Sequence, residues 1–309
     1  MDRSSAEIRG ARAQAPAASP CFAAAAALNP ASTMSARGSF VVPHAALLLS
    51  VAIALVAGRA TAAPCALAVM PETVAVERAI DGDTVLLDDG REVRLAGVSA
   101  PKTPLGRKPE EWPLDAASRE ALESAAGGQV LELRLASRPT DRYGRLVGFL
   151  APIEGPDHAG MAVALLAQGW LRTTGEERDC GATLREAEGQ AIARRLGLWS
   201  EPYYEVRNAE DGASLSSAAG RFVVAEGRVA SVRQAAGRFY VNFGARWRDA
   251  LSATLSEAAL RRLGGLDALN VKAGARLRVR GVVELRRGPT ITVTEPGQID
   301  RIDAPGGAR

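Results

Sequence analysis

The sequence between residues 74 and 98, VAVERAIDGDTVLLDDGREVRLAGV, decides how the first half of the chain folds. Apolar and polar residues alternate along Val74–Ile80, again over Asp83–Leu87, and again over Arg91–Val98, which is typical of half-buried strands. Asp88-Asp89-Gly90, between the second and third runs, is a tight-turn signal. We therefore predict three consecutive strands joined by short turns.

The residues that follow alternate between helical and strand patterns. One helix is predicted to open with the acidic Asp115 and to stop at Gly127-Gly128. The predicted elements are a helix at Leu114–Ala126, strands at Val130–Leu135 and Leu146–Leu150, and helices at Gly160–Gln168 and Thr183–Leu196. Three strands, a helix, two strands and closing helices predict a small barrel with helices packed on it.

The second half of the chain has a similar order of elements. Residues 201–220 are rich in Ala, Ser and acidic residues without periodicity, which predicts a linker. Beyond it we predict strands at Phe222–Val232, Arg238–Phe243 and Ala250–Leu255, a helix at Ser256–Leu263, and strands at Arg276–Leu285 and Thr290–Val293. This order is that of a five-stranded OB-fold barrel.

The first 62 residues have the features of an export signal. Ala45–Ala57 is an apolar run of thirteen residues, shorter than the roughly 20 that a transmembrane helix needs. Arg37 precedes it and Ala60-Thr61-Ala62 follows it, as in a secretory signal peptide, with Met34 as an alternative start. We predict a protein that is exported to the periplasm or secreted and has no stable membrane anchor after cleavage, with a single membrane anchor as the alternative.

The charge of the chain is distributed unevenly once the leader is left out of the count. The full chain carries 38 Lys+Arg against 35 Asp+Glu, a formal net charge of +3. Residues 63–205 hold 16 basic and 23 acidic residues, a net charge of −7, and residues 206–309 hold 17 and 10, a net charge of +7. The basic half is therefore the candidate for a polyanionic partner.

Two cysteines remain beyond the leader, Cys65 and Cys180. An even pair in an exported chain predicts one disulfide. Their spacing has no metal-site signature and His158 is the one histidine left, so a zinc site or a histidine-based triad is excluded as a working hypothesis. The predicted organisation is a leader at 1–62, a first domain at 63–205, a linker at 206–220, a second domain at 221–303 and a tail at 304–309.

Five short motifs in the first half occur in a recognisable order. They are Asp81-Gly82-Asp83-Thr84, Arg94-Leu95 with Val98 and Pro101, Asp141-Arg142-Tyr143-Gly144-Arg145, Gln168-Gly169, and Gly197-Leu198-Trp199-Ser200. In this order and spacing residues 72–200 resemble the staphylococcal-type thermonuclease (SNase-like) family. The resemblance implies an OB-type barrel with three helices, so the fold class predicted for the chain is mainly β with packed helices, one such barrel followed by a second OB-like barrel.

The resemblance also implies calcium-dependent hydrolysis of nucleic-acid phosphodiesters. Calcium prefers six to eight hard oxygen ligands, and guanidinium groups suit phosphate oxygens. Asp83 stands at the family's first metal carboxylate, Arg94 and Arg145 at its two phosphate-binding arginines, and Arg142 and Tyr143 at positions lining the nucleotide pocket. Each of these residues could instead have a purely structural role. Asp81 and Asp83 would then be ordinary turn residues, the arginines would form surface ion pairs, and Tyr143 would be a half-buried residue of the barrel.

Two positions depart from the family pattern. Ser99 occupies the second metal-carboxylate position, and Lys102 occupies that of the proposed general base. A serine hydroxyl brings no charge to a calcium ion, and a lysine that is cationic at pH 7 accepts no proton. Lys102 is expected to join Arg94 and Arg145 in a three-cation phosphate cradle, while Glu110 or Glu111 is an alternative source of the missing acid. Residues 170–175 also lack the tyrosines expected there.

Aromatic and basic residues interleave in the second half. Arg238, Tyr240, Arg246, Trp247 and Arg248 are predicted to contact nucleic acid, because OB barrels hold single strands with aromatic faces and cations. Core packing of alternate aromatics, with Phe239 and Phe243 or Tyr240 turned inward, is the competing interpretation.

These observations leave three hypotheses. The first is an exported thermonuclease-like protein that acts on DNA or RNA, using Ca²⁺ if it is active. The second is a non-catalytic nucleic-acid or phosphate-binding protein of the same fold. The third is an envelope interaction module whose oppositely charged halves dock on each other or on a partner.

Overall fold

The computed structural model describes residues 65, 70–104, 106–108, 112–154, 159–246 and 248–302. The predicted leader at 1–62 lies outside these residues, as do Glu110, Glu111 and Trp247. Gly58–Arg309 forms one compact unit, and its described part contains a closed five-stranded barrel and an eight-stranded sheet, which we call the second barrel. Of the helices within the described ranges, none combines the length and apolar character required to span a membrane.

The first barrel is closed by five strands in the order β1-β2-β3-β6-β5. The pair β3–β6 is parallel and the other pairs are antiparallel. Its elements in chain order are β1 (Glu72–Asp81), β2 (Thr84–Leu87), β3 (Glu92–Leu95), β4 (Val98–Ser99), α1 (Pro113–Ala126), β5 (Val130–Thr140), β6 (Leu146–Ala151), α2 (Gly160–Ala167), β7 (Arg172–Thr173) and α3 (Gly181–Arg194), followed by a 3₁₀ turn at Gly197–Ser200.

Alternating burial explains why these residues form a barrel. Val74 and Val76 on β1, Val85 and Leu87 on β2, and Leu95 on β3 are all buried in one apolar cluster. Removing such side chains from water stabilises the barrel by roughly 1.5–3 kcal/mol each. The predicted helices and strands of this half are confirmed, and β5 extends five residues further than expected, to Thr140.

The second barrel has the same strand connectivity as the first. Its sheet has the order β10-β11-β12-β14-β13-β9-β8. Only two residues separate β9 from β10, and β9 pairs with β13 while β10 pairs with β11, so counting β9 and β10 as one strand gives the strand order of the first barrel. The pair β12–β14 is parallel, as β3–β6 is in the first barrel. The elements are β8 (Arg207–Asn208), α4 (Gly212–Ser217), β9 (Phe222–Arg228), β10 (Ser231–Ala235), β11 (Arg238–Asn242), β12 (Ser252–Ser256), α5 (Glu257–Arg262), α6 (Gly265–Ala268), β13 (Arg276–Leu285), β14 (Pro289–Thr292) and β15 (Ile299–Arg301).

The segment 206–220, expected to be a linker, instead has regular structure. It contains β8 and α4, and Leu215 and Ala218 are buried in the core of the second barrel. The Asp211 side chain accepts a hydrogen bond from the Ser214 backbone N–H at 2.9 Å and so caps α4. A two-residue strand and a six-residue helix are too short to show periodicity in the sequence.

A disulfide joins Cys65 to Cys180, across a sequence separation of 115 residues. The predicted pairing is confirmed. Both cysteines are buried in the core of the first barrel, and Cys180 directly precedes α3. The bond therefore ties the start of the described chain to the last helix of this barrel.

A buried ionic cluster joins the two barrels. Arg280 on β13 and Glu188 on α3 have no exposed side-chain surface and form an ion pair, while Arg280 also donates to Thr173. Its second nitrogen, Nη2, donates to Asp300 Oδ2 at 2.7 Å, and Arg185 Nε reaches Asp300 Oδ1 at 2.7 Å. Burial would lower the pKa of the Arg280 guanidinium, but Glu188 and Asp300 raise it above its usual value.

Aromatic rings and guanidinium groups form a second seam between the barrels. Trp112 Nε1 donates to the Tyr204 hydroxyl at 2.9 Å. The Arg221 guanidinium lies 3.5 Å from the centroid of the Tyr203 ring, and that of Arg172 lies 4.5 Å from the centroid of Phe222. Stacking of this kind stabilises a desolvated cation by up to roughly 2 kcal/mol.

Replacing Glu188 by Gln tests the ionic cluster. The substitution leaves Arg280 buried with Asp300 as its remaining carboxylate, so we expect the free energy of unfolding at pH 7 to fall by about 3 kcal/mol. Urea denaturation measures this change. Glu186→Gln, at a half-buried position on the same helix, is the matched control and should cost less than about 0.5 kcal/mol. Equal stability of the two variants would contradict a stabilising role for the cluster.

Candidate functional site

The turn between β1 and β2 places two carboxylates at one end of the first barrel. Asp81 ends β1, Gly82 lies beneath α1, and Asp83 precedes β2. A Cβ atom added at Gly82 would lie 2.3 Å from Ser118 Oγ and 2.7 Å from the Ala100 Cβ, so only glycine fits between the turn and its neighbours. The Asp83 backbone N–H donates to Asp81 Oδ1 at 2.9 Å and fixes the two acids relative to each other.

Asp83 is completely buried. Its Oδ2 accepts the Ala100 backbone N–H at 2.8 Å, and its Oδ1 accepts the Thr84 hydroxyl at 3.1 Å. Burying an ionised carboxylate costs several kcal/mol unless a cation and hydrogen bonds compensate. The surroundings of Asp83 therefore need a positive charge.

The side chain of Lys102 supplies that charge. Its Nζ donates to Asp81 Oδ2 at 2.7 Å and to Asp83 Oδ1 at 2.9 Å. Burial would lower the pKa of the Lys102 ammonium, but the Asp83 and Asp81 carboxylates raise it above its usual value. Burial would raise the pKa of Asp81, but the Lys102 ammonium and the Asp83 N–H bring it below its usual value. Lys102 is thus cationic at neutral pH and bridges both acids.

Arg94 and Arg145 lie beside this bridge. Arg94 Nε is 4.0 Å from Asp83 Oδ1, and its Nη2 donates to the Val98 carbonyl at 3.1 Å. Arg145 Nε donates to Asp141 Oδ2 at 2.8 Å, and its Nη1 donates to Thr84 Oγ1 at 3.4 Å. The structure therefore brings Asp83, Arg94, Arg145 and Lys102 together, as the motifs predict.

The predicted three-cation cradle needs revision. Lys102 is directed at Asp81 and Asp83, and Arg145 is paired with Asp141. Three cations and three carboxylates therefore form a formally neutral cluster. The sequence had identified Asp81 only as a turn residue and Asp141 only as part of a motif, because an ion pair between distant positions leaves no local signal.

The donor set does not fit a calcium ion. Ser99 is half-buried, and its hydroxyl donates only a weak 3.4 Å bond to the Ala100 carbonyl. Across the described ranges, no three His, Cys, Asp or Glu side chains form a group that could hold a metal. An ammonium group already lies within hydrogen-bonding distance of both carboxylates, and calcium would need further hard oxygen ligands. The proposed substitute acids, Glu110 and Glu111, lie outside the described residues.

Tyr143 projects into solvent with 68% of its surface exposed, so it is not a half-buried barrel residue. The Arg142 guanidinium lies 4.7 Å and that of Arg145 5.5 Å from the centroid of its ring. An exposed aromatic face between two guanidinium groups offers a base a stacking surface and a phosphate two donors.

The strand that lacks the expected tyrosines contacts the second barrel. Arg172 on β7 donates from Nη1 to the Phe222 carbonyl at 3.0 Å. Thr173 is buried and donates its backbone N–H to Glu188 at 2.7 Å. Sequence reasoning missed this role, because its partners lie on other elements far along the chain.

The predicted contact residues of the second barrel are divided between two places. Arg238 and Tyr240 line a cavity on the outer face of the sheet. Arg246, in the loop after β11, lies 3.6 Å from Asp249. Neither Arg246 nor Arg248 lines the cavity, and Trp247 is outside the described residues. Phe243 is buried in the core of the second barrel, and Phe239 packs against that core. These two rings therefore point inward, as the core-packing interpretation expects.

Fold and site together define a protein built on OB-type barrels, with a cluster of acids and guanidinium groups at one end of the first. A family model described as staphylococcal nuclease homologue matches residues 92–201. Micrococcal nuclease of Shigella flexneri is 32% identical over 140 residues, which cover 41% of this chain and 73% of that protein. Thermonuclease of Staphylococcus intermedius is 30% identical over 131 residues, covering 41% and 76%. The chain belongs to the staphylococcal nuclease family, and the matching family model ends before the second barrel.

Replacing Lys102 by Met tests the ammonium bridge. We expect the free energy of unfolding at pH 7 to fall by about 1–3 kcal/mol, a range that allows for the 43% exposure of the lysine side chain. The lowered pKa of Asp81 contributes stability above the ordinary aspartate value of about 3.9 and loses it below. The difference between wild type and variant should therefore shrink as the pH falls from 5 to about 3.

Urea denaturation across this pH range measures both effects. Lys108→Met removes the same charge from an exposed position and should change stability by less than about 0.5 kcal/mol. A Lys102→Met variant as stable as wild type at pH 7, or a difference that stays constant down to pH 3, would rule out the bridge.

Proposed function

We propose that this protein is a nucleic-acid-binding member of the staphylococcal nuclease family that does not cleave phosphodiesters with calcium. The observation that carries the proposal is the Lys102 ammonium, 2.7 Å from Asp81 and 2.9 Å from Asp83. Those two carboxylates are the anionic oxygens that the β1–β2 turn offers to a cation, and the ammonium group of Lys102 already donates a hydrogen bond to each of them.

The chemistry of cleavage requires groups that these positions do not supply. Hydrolysis needs a carboxylate or another base to orient or deprotonate water, and the raised pKa of Lys102 keeps it protonated at neutral pH. Calcium-dependent members of the family need an ion next to the phosphate, and Ser99 adds no charge to hold one.

Binding of nucleic acid depends on residues that are still in place. Tyr143 is exposed, with the guanidinium groups of Arg142 and Arg145 near its ring, and Arg94 lies 4.0 Å from Asp83. In this proposal a base stacks on Tyr143 while a phosphate is held by the neighbouring guanidinium groups. Because Lys102 takes the position of the ion, such binding needs no metal.

Active calcium-dependent cleavage is the second candidate. It is favoured by Asp83, Arg94 and Arg145, which stand at the family's positions and lie close together in the structure. This candidate requires Lys102 to leave both carboxylates and another acid to replace Ser99. The interaction-module hypothesis is based on the charge difference between the two halves. Within the chain, Glu188 of the acidic half pairs with Arg280 of the basic half and so uses part of that difference.

Export to an oxidising compartment belongs to the same proposal. The Cys65–Cys180 disulfide supports it, since such bonds are rare in reducing compartments. The signal-peptide features of residues 37–62 support it from the sequence.

A cleavage and binding assay tests the function. The whole chain, with its disulfide formed, is incubated with single-stranded and double-stranded DNA and with RNA, in calcium or in chelator. We expect binding that is equal in the two conditions and weakens with added salt, and no cleavage. Calcium-dependent cleavage would overturn the proposal, and so would the absence of binding to all three.

The double variant Ser99→Asp/Lys102→Glu tests the cause. It removes the ammonium and adds two carboxylates beside Asp83, so we expect calcium binding with a dissociation constant of about 10⁻³ M or below, measured by calorimetry. Ser217→Asp/Lys108→Glu makes the same charge change at exposed positions and should not bind. If Ser99→Asp/Lys102→Glu takes up no more calcium than this control, the absence of carboxylates at positions 99 and 102 is not the reason why the protein fails to bind calcium.

A further inference from the structure

The second barrel has a cavity of about 640 Å³ on the outer face of its sheet. Arg233, Tyr240, Thr254 and their neighbours reach this face because strand residues two apart point to the same side. Arg233 pairs with Tyr240, Tyr240 with Thr254, and Thr254 with Thr292 across four strands. The cavity lies beyond the part of the chain that the family model matches.

The wall of the cavity is strongly basic. Arg233, Arg238, Arg286 and Arg287 line it, together with the Tyr240 ring, and no acidic residue of the described ranges does. Arg286 is paired with Glu284 at 2.6 Å. Arg287 sits at the β13–β14 turn with φ 64°, a left-handed conformation that glycine or asparagine adopts at lower cost.

The floor of the cavity is made of buried polar side chains. Asn242 and Ser252 are hydrogen-bonded to each other at 3.0 Å, and Thr290 donates to the Gly288 carbonyl at 3.2 Å. Thr254 is only 4% exposed, and within the described part of the chain neither its hydroxyl nor that of Thr292, beside it on β14, has a hydrogen-bond partner. Buried polar groups without partners are rare, so the Thr254 hydroxyl is available to hydrogen-bond a polar group that enters the cavity.

We infer that this cavity, which we call the arginine groove, binds single-stranded nucleic acid. A base stacks on Tyr240, its polar edge reaches the floor at Thr254, and the phosphates on either side lie against Arg233, Arg238 and Arg287. A duplex would keep its bases paired and could not present one to Tyr240. Nucleic acid is favoured over other polyanions because an aromatic ring lies between the guanidinium groups.

The groove differs from the contact surface expected from the sequence. Arg238 and Tyr240 belong to it, whereas Arg246 does not line it and lies beside Asp249. Arg233 joins it from the neighbouring strand β10, and Arg286 and Arg287 join it from the β13–β14 turn, which is distant in sequence. It is separate from the acid and guanidinium cluster of the first barrel, so its binding does not depend on calcium or on cleavage.

Fluorescence anisotropy with a labelled twelve-residue deoxythymidine strand, in chelator, tests the groove. For Tyr240→Leu we expect affinity to fall roughly five- to 150-fold, the contribution of one stacked base, while Tyr240→Phe keeps the ring and most of the affinity. For Arg233→Gln/Arg287→Gln we expect the slope of log affinity against log salt to decrease in magnitude by about 1.4, since each lost phosphate contact removes roughly 0.7.

The matched control is Arg228→Gln/Arg262→Gln, which removes two exposed charges from the same barrel outside the groove. Thermal unfolding establishes that each variant is folded. Equal losses in the control and in the groove variant would overturn the inference, because the effect would then come from net charge.

Two further measurements distinguish the arginine groove from a site on the first barrel and from a general anion site. Loss of binding in Arg142→Gln/Arg145→Gln, with none in the groove variants, would place the nucleic acid on the first barrel and overturn this inference while supporting the proposed function. A general anion site would give a different result: inorganic polyphosphate would compete as strongly as unlabelled deoxythymidine strand, and Tyr240→Leu would bind with unchanged affinity. That result would also overturn the inference. Preference for the single strand over a duplex, lost in Tyr240→Leu, supports the inference.

Discussion

Burying a carboxylate completely is costly unless a cation lies nearby, and the fully buried Asp83 imposes this constraint at one end of the first barrel. The Ala100 N–H and the Thr84 hydroxyl supply hydrogen bonds, but neither carries a charge. Lys102 supplies the charge from the loop after β4, and Arg94 adds a second cation at 4.0 Å. The substitutions at positions 99 and 102 therefore act together: one removes an acid and the other provides the cation.

The same principle operates between the barrels. Glu188 and Arg280 are both fully buried, and each is the other's charged partner. The two halves also meet at Glu295, an acid of the basic half that pairs with Arg138 and Arg178 of the acidic half. The Arg172 and Thr173 strand, positioned beside Ser99, is part of this contact. This strand, where the resemblance led us to expect nucleotide-contacting tyrosines, instead contacts the second barrel through Arg172.

Much of the fold could be predicted from the sequence. Alternation along Val74–Ile80 and Arg276–Leu285 identifies strands because one face of each is buried, and turn residues mark their ends. The order of the elements was enough to predict two barrels of one topology. The structure of 206–220 could not be predicted in this way, because β8 and α4 are shorter than the stretch of sequence over which strand or helix periodicity can be recognised.

The site was predictable in its residues and not in its contacts. Motif spacing identified Asp83, Arg94, Arg145 and Lys102, but it predicted that Lys102 binds a phosphate. The partner in the structure is a pair of carboxylates 19 and 21 residues away, and only the path of the loop decides between the two. For the arginine groove, the doublet Arg286-Arg287 at a turn was visible, but its distance from Arg233 depends on strand register across the barrel.

The central claim is that an ammonium group takes the position of a metal ion. A crystal structure of the whole chain, grown in millimolar calcium, tests it most directly. We expect Lys102 Nζ within hydrogen-bond distance of both Asp81 and Asp83, with no metal ion at these carboxylates. A calcium ion bound to Asp83, with Lys102 turned away into solvent, would contradict it.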